Sequence, residues 1–267
     1  MKVSSQEIWE SVEAIRAQAP LVHNITNYVV MNATANALLA IGASPVMAHA
    51  CEEVEEMAGI AGALVINIGT LSEHWITAMF KAAKRAGELK IPIVFDPVGA
   101  GATNLRTDTA RTFVKTFSPT IIRGNASEIM ALVTEDIRTK GVDSSAASSD
   151  AVEVGRLLNV DSGSLVCISG ETDYIIDGGR MIKITNGHPM MQRVTGMGCT
   201  ATALCGAFAA VEKNAMAAAA QAMAVMGIAG EMAAEKAEGP ASLQSRFIDI
   251  LYNMTESHIE QYLKKEV

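Results

Sequence analysis

Three short stretches carry residue types that could do chemistry together. The first is Thr195-Gly196-Met197-Gly198-Cys199, directly before the helix-forming run Thr200-Ala201-Thr202-Ala203-Leu204. Glycine lets a backbone approach a bound group closely, and the unpaired N–H groups of a first helical turn point at that group. The helix dipole adds roughly half a positive charge there, so the place favours an anion and above all a phosphate. Cys199 can also lose a proton, and a helix N-terminus is expected to lower a thiol's pKa. The alternative use of Gly196 and Gly198 is steric, letting a helix pack closely on a sheet. The second stretch is Asp96-Pro97. A carboxylate closing an apolar run can ligate Mg²⁺ directly or through water, or it can cap a turn. The third, Arg123-Gly124-Asn125-Ala126-Ser127-Glu128, joins an arginine able to hold phosphate by two parallel hydrogen bonds to a second carboxylate. Glu128 has an alternative use as a helix-start residue beside Asn125.

These stretches lie far apart in the chain, so they need a frame that gathers them. A regular alternation supplies one. Ala63-Leu64-Val65-Ile66-Asn67 leads to Gly69-Thr70, Pro92-Ile93-Val94-Phe95 ends in Asp96, Thr120-Ile121-Ile122 ends in Arg123, and Leu165-Val166-Cys167-Ile168 ends in Ser169-Gly170. Helical spacing fills the intervals near residues 70–84, 105–117, 127–132 and 147–158. Short β-branched runs separated by helices predict an α/β fold with parallel strands buried on both faces. Ligands of such sheets bind outside the carboxyl ends of the strands. Asn67, Gly69, Asp96, Arg123, Asn125 and Ser169 all fall at those ends, and the glycine loop is expected on the same rim.

The remaining segments complete the frame. A helix is expected over residues 5–19, stopped by Pro20, and a second over 27–40, ended by Gly42. Between them, residues 21–28 thread polar side chains through apolar ones. Ser44-Pro45-Val46-Met47 reads as a short strand. Tyr174-Ile175-Ile176 and Met181-Ile182-Lys183-Ile184 flank the turn signal Asp177-Gly178-Gly179-Arg180 and predict an antiparallel edge. From Thr200 onward the pattern is helical, in about four segments. Residues 144–150 are of low complexity and read as a mobile loop. No internal repeat or linker divides the chain, so one domain over residues 1–267 is expected.

At 267 residues the chain can bury a substantial core, and with 49% hydrophobic but only 4% aromatic residues that core must be aliphatic, helped by 15 Met. A net charge of −8 and a pI near 5.2 argue against nucleic acid or an anionic membrane as partner. Four cysteines without a CxxC spacing or a nearby His pair argue against a zinc site and fit a reducing cytoplasm. The most apolar window, residues 215–230, is mostly alanine and shorter than the roughly 20 residues a bilayer needs, so it reads as a buried helix.

Asn24-Ile25-Thr26-Asn27, Asp96-Pro97-Val98-Gly99-Ala100, Arg123-Gly124-Asn125-Ala126-Ser127-Glu128 and Thr195-Gly196-Met197-Gly198-Cys199 occur in this order. Together they resemble the hydroxyethylthiazole kinases, ribokinase-like enzymes of thiamine synthesis and salvage, from about Pro20 to the C-terminal helices. The resemblance implies a three-layer α/β/α sandwich with a mostly parallel central sheet. It implies transfer of the γ-phosphoryl of MgATP to the primary hydroxyl of 4-methyl-5-(2-hydroxyethyl)thiazole. Asp96 and Glu128 would organise Mg²⁺, Arg123 would meet the phosphates, and Asn125, Ser169 and Thr195 would help hold ATP. Backbone N–H groups of Gly196, Met197, Gly198 and Cys199 would form the anion hole. Asn24, Asn27, Met47, Gly69 and the Gly196 backbone would belong to the thiazole pocket. A homotrimer with thiazole sites between subunits is implied as well.

Cys199 stands where many sugar and vitamin kinases of the superfamily carry an aspartate base. Two roles are open to it, accepting the hydroxyl proton or lining the pocket. Competing readings are a kinase of a pyrimidine or pyridoxal-type alcohol, a nucleotide-driven dehydratase of a hydrated cofactor, a thiol enzyme with Cys199 as covalent nucleophile, and a non-catalytic regulator that binds thiazole or nucleotide.

Overall fold

The computed structural model describes residues 3–133 and 147–264. Eight strands form one sheet: β1 (Leu21–Ile25), β2 (Ser44–Val46), β3 (Ala63–Asn67), β4 (Ile93–Asp96), β5 (Ile121–Asn125), β6 (Leu165–Ser169), β7 (Asp173–Asp177) and β8 (Arg180–Ile184). Their order is β2-β1-β3-β4-β5-β6-β7-β8. The first six run parallel, and β7 and β8 form the antiparallel edge. Parallel β3 and β4 are aligned so that Asn67 sits opposite Asp96, and β5 and β6 so that Asn125 sits opposite Ser169. The register itself therefore gathers the polar strand ends.

Eleven helices are described: α1 (Ser5–Gln18), α2 (Met31–Ile41), α3 (Val54–Ile60), α4 (Glu73–Leu89), α5 (Asn104–Phe117), α6 (Ala126–Leu132), α7 (Ala147–Ser162), α8 (Met197–Val211), α9 (Ala215–Ala234), α10 (Pro240–Asn253) and α11 (Glu256–Tyr262). Successive strand side chains point to opposite faces. Val65 accordingly joins the core built with α1, α2 and α8 to α11, while Leu64 and Ile66 join the core built with α3 to α7. The three-layer α/β/α sandwich follows from that alternation.

Four expectations change. Residues 21–28 contain strand β1, whose His23 and Asn24 are fully buried between β2 and β3. Polar side chains inside a central strand hid it. Helix α2 begins at Met31 rather than near 27, because residues 28–30 form a turn. The loop expected over 144–150 is overturned in part: helix α7 is already under way at Ala147, while residues 144–146 lie outside the described residues. The alanine-rich helix α9 is also longer than expected, 20 residues, long and apolar enough by composition to cross a membrane. It is packed within the core, with 83% of its most apolar window buried, as a helix apolar on all sides should be.

Candidate active site

The carboxyl end of the sheet opens into a cavity of about 720 Å³. Asp96, Arg123, Asn125, Glu128 and Ser169 line it, together with Gly196, Met197, Gly198 and Cys199 at the start of α8. Nine of the expected residues thus meet in one place. Asp96 is 1% exposed, and its Oδ2 accepts hydrogen bonds from Asn67 Nδ2 at 2.9 Å and Thr202 Oγ1 at 2.7 Å. Burial pushes its pKa up to about 6, with the nearby Glu128 charge adding to the rise against the pull of Arg123 and Thr202. Burial works against the charge of Arg123, but Asp96 and Asp173 beside it keep its pKa above the ordinary arginine value. Its Nη1 donates to the Gly198 carbonyl at 3.0 Å, and its buried Nε has no partner among the described residues.

Gly198 and Gly196 are both needed for close approach. A Cβ on Gly198 would sit 3.0 Å from Arg123 Nη1. Gly196 is the N-cap of α8 with φ +86°, and a Cβ there would lie 2.7 Å from Val30 Cγ1. The first turn of α8 therefore faces the cavity with its N–H groups unpaired by the helix, as the anion-site reading requires.

Glu128 takes the helix-start role and also borders the cavity. It closes a capping box at the start of α6: Oε2 accepts from Asn125 N–H and Asn125 Oδ1 accepts from Glu128 N–H, each at 2.9 Å. Its Oε1 accepts from Gly99 N–H at 2.9 Å, and the carboxylate still borders the cavity. Asp96 and Glu128 form a pair rather than a cage, and no cluster of three candidate ligands occurs among the described residues. A pair suits Mg²⁺, which keeps several waters and is held by one or two carboxylates together with substrate phosphates.

The expected lowering of the Cys199 pKa is contradicted. Burial, then the Asp96 charge, push the thiol up to about 11, outweighing hydrogen bonds from Asn67 and Asn27. Asn27 Nδ2 lies 3.4 Å from the sulfur. The helix terminus acts on the thiol, but removal from water and a neighbouring anion act more strongly.

Matches to known proteins agree with this geometry. Residues 12–257 match the model of the hydroxyethylthiazole kinase family. A hydroxyethylthiazole kinase from Syntrophus aciditrophicus is 63% identical over 265 residues, covering 99% of this chain and 98% of that protein. One from Leptospira biflexa is 58% identical, covering 95% of each. The chain belongs to the hydroxyethylthiazole kinase family. The solved hydroxyethylthiazole kinase of Pyrococcus horikoshii OT3 superposes with a TM-score of 0.89 at 44% identity, covering 97% of this chain and 98% of that one. A ribokinase-like superfamily protein from Enterococcus faecalis shares the fold alone, with a TM-score of 0.69 at 13% identity. The kinase phosphorylates the thiazole alcohol, and the rival activities have no comparable support.

Other expected residues of the kinase lie outside the cavity lining. Asn24 is fully buried and its Nδ2 donates back to the Val22 carbonyl at 2.8 Å. Asn27 and Gly69 stand just behind the lining: both donate to Asn67 Oδ1, at 2.8 and 3.0 Å. A Cβ on Gly69 would lie 2.6 Å from Asn27 Nδ2. Met47 is half-buried just past β2, at the parallel edge of the sheet, and Thr195 is exposed. Asn67, noted in the sequence only as a strand end, proves to be the hub joining Asn27, Gly69 and Asp96. Two residues were missed. Thr202, one helical step from Cys199, had a signal in its i, i+3 spacing. Asp173, whose Oδ1 accepts from Gly170 N–H at 3.0 Å and whose pKa burial raises to about 6, had none. The far wall, Asn186 to Pro189 and Met191 to Gln192 with Met223, Met226 and Gly227, was also invisible, because segments distant in sequence build it.

Proposed function

We propose that the chain acts as one kinase domain over residues 1–267, transferring the γ-phosphoryl of ATP to the primary hydroxyl of 4-methyl-5-(2-hydroxyethyl)thiazole in the strand-end cavity. One observation carries the reading: the Arg123 guanidinium holds the Gly198 carbonyl, so a fixed cation and the free N–H groups of α8 converge beside Asp96 and Glu128. Asp96 and Glu128 would hold Mg²⁺, which when bound neutralises and orients the phosphates. Asn67 and Thr202 both donate to Oδ2 of Asp96 and fix the orientation of that carboxylate.

The chain's own groups do the rest. N–H groups of Gly196, Met197, Gly198 and Cys199 receive the charge that develops on the transferred phosphoryl, and Arg123 adds a cation that burial keeps from reorganising. Asn125, Ser169 and the exposed Thr195 hold the nucleotide. Asn24, Asn27, Met47, Gly69 and Gly196 form the thiazole end. Cys199 lines the pocket as a neutral thiol rather than accepting the proton, in keeping with its raised pKa. Phosphoryl transfer depends mainly on positioning and charge, so it tolerates the lack of a strong base.

Met47 lies at a sheet edge away from the cavity lining, and Tyr28 and Val29, next to Asn27, are 63% and 64% exposed. A homotrimer whose neighbouring subunit covers that edge would complete the thiazole pocket. The four free cysteines suit a cytoplasmic setting. The test is ADP release from MgATP with and without the thiazole alcohol, with the product weighed by mass spectrometry. Thiazole-dependent release with the phosphate ester as product is expected; turnover only on a different alcohol, or nucleotide binding without turnover, would overturn the reading.

A further inference from the structure

Arg106, near the start of α5, has no part in the site described so far. It is half-buried, and no carboxylate among the described residues lies within ion-pair distance of it. Its guanidinium is spent on backbone instead. Nη1 donates to the carbonyls of Ile68 at 2.9 Å and Val98 at 2.7 Å, and Nη2 donates to the carbonyl of Gly69 at 2.7 Å. These carbonyls belong to the two loops that leave β3 and β4. Gly99, at φ +74°, leaves room for the clasp: a Cβ there would lie 3.2 Å from both Cδ and Nη1 of Arg106.

A trans peptide unit is planar, with its C=O and N–H pointing in opposite directions. Fixing a carbonyl on Arg106 therefore aims the N–H of the following residue away from it, and two of those N–H groups reach the site. The Val98–Gly99 unit gives its N–H to Glu128 Oε1 at 2.9 Å. The Ile68–Gly69 unit gives its N–H to Asn67 Oδ1 at 3.0 Å, and Asn67 Nδ2 in turn donates to Asp96 Oδ2 at 2.9 Å. We infer that Arg106 is a positioning residue for phosphoryl transfer: by clasping three carbonyls behind the site it sets the peptide planes that aim Glu128 and, through Asn67, Asp96. The inference rests on the proposed role of those two carboxylates in holding Mg²⁺ and phosphate. A lysine cannot replace the arginine, because its single ammonium lacks the planar fork that meets separated acceptors.

The experiment compares Arg106→Lys and Arg106→Ala with the wild type, after wild-type turnover on the thiazole alcohol has been verified. Loss of wild-type turnover would count against the function itself and is read before any variant is made. For each variant, kcat, the Mg²⁺ concentration giving half-maximal rate, and Tm are measured, the kinetics well below Tm. Misplacing a reacting group by about 1 Å costs on the order of 100-fold in rate. A fall in kcat of roughly 10- to 100-fold is therefore expected, with half-saturation by Mg²⁺ moved to higher concentration. Added ethylguanidinium should restore part of the lost kcat to Arg106→Ala and none to Arg106→Lys. Should the alanine variant not fold, the lysine variant, which keeps the charge and most of the stem, decides the matter by kcat and Mg²⁺ dependence. A folded variant with kcat and Mg²⁺ half-saturation within twofold of wild type, whatever its Tm, would overturn the inference.

Discussion

At the scale of single residues, Cys199 and Asp96 show how burial governs the chemistry. A thiol pushed up to about 11 is neutral from pH 6 to 9. Cys199→Ala should therefore lower kcat without removing any limb from its pH profile over that range. A limb present in the wild type and abolished in the variant would contradict this. Asp96 carries a linkage consequence as well. Its folded pKa is raised to about 6 from the ordinary aspartate value of 3.8, so the folded state binds its proton more tightly. The stability that this proton contributes is full below about pH 4 and is lost as pH rises through about 6. Asp96→Asn should flatten the decline of Tm between pH 4 and 7 while abolishing turnover, and an unchanged slope would refute the assignment. Asp173, also raised to about 6, contributes with the same sign.

At the scale of elements, helix α8 separates two uses of glycine. Gly206 touches the sheet: a Cβ there would lie 2.5 Å from Val65 Cγ2 and 3.2 Å from Val22 Cγ1. Overpacking of this kind typically costs about 1–3 kcal/mol. Gly206→Ala should thus lower the urea midpoint with kcat per folded molecule preserved. Gly198→Ala instead displaces the Arg123 guanidinium and should lower kcat with the midpoint nearly unchanged. If both variants behaved alike, the division of roles would be wrong. The same contrast explains what was legible. Strands β3 to β6 end in polar residues after β-branched runs, so their alternation with helices announced both sheet and rim. Strand β1 did not announce itself, because His23, bonded through Nε2 to the Ala48 carbonyl, and Asn24 break its apolar pattern. The direction of the Cys199 shift was illegible for another reason: spacing reveals the helix terminus but not the depth of burial or the distance to Asp96.

At the scale of the whole molecule, the sheet register and the packing of α8 bring Asp96, Arg123, Glu128 and the start of α8 to one cavity within one chain. The residues proposed for the thiazole half are spread between Asn27 and Gly69 behind the cavity lining and Met47 at the edge of the sheet. A trimer that completes this half should sediment as three subunits, and dilution below its dissociation range should raise KM for the thiazole alcohol far more than KM for ATP. Equal increases would place both substrates within one subunit. Arg123, seated on the Gly198 carbonyl, is the group proposed to act on the phosphoryl in transit. Arg123→Lys tests it most directly, in a single-turnover measurement of phosphoryl transfer from bound ATP. The lysine keeps the charge but loses the forked geometry. A transfer rate reduced on the order of 100-fold is expected, as for loss of an oriented charge at a transition state, with thiazole affinity unchanged. A transfer rate equal to wild type, with only nucleotide affinity weakened, would contradict it.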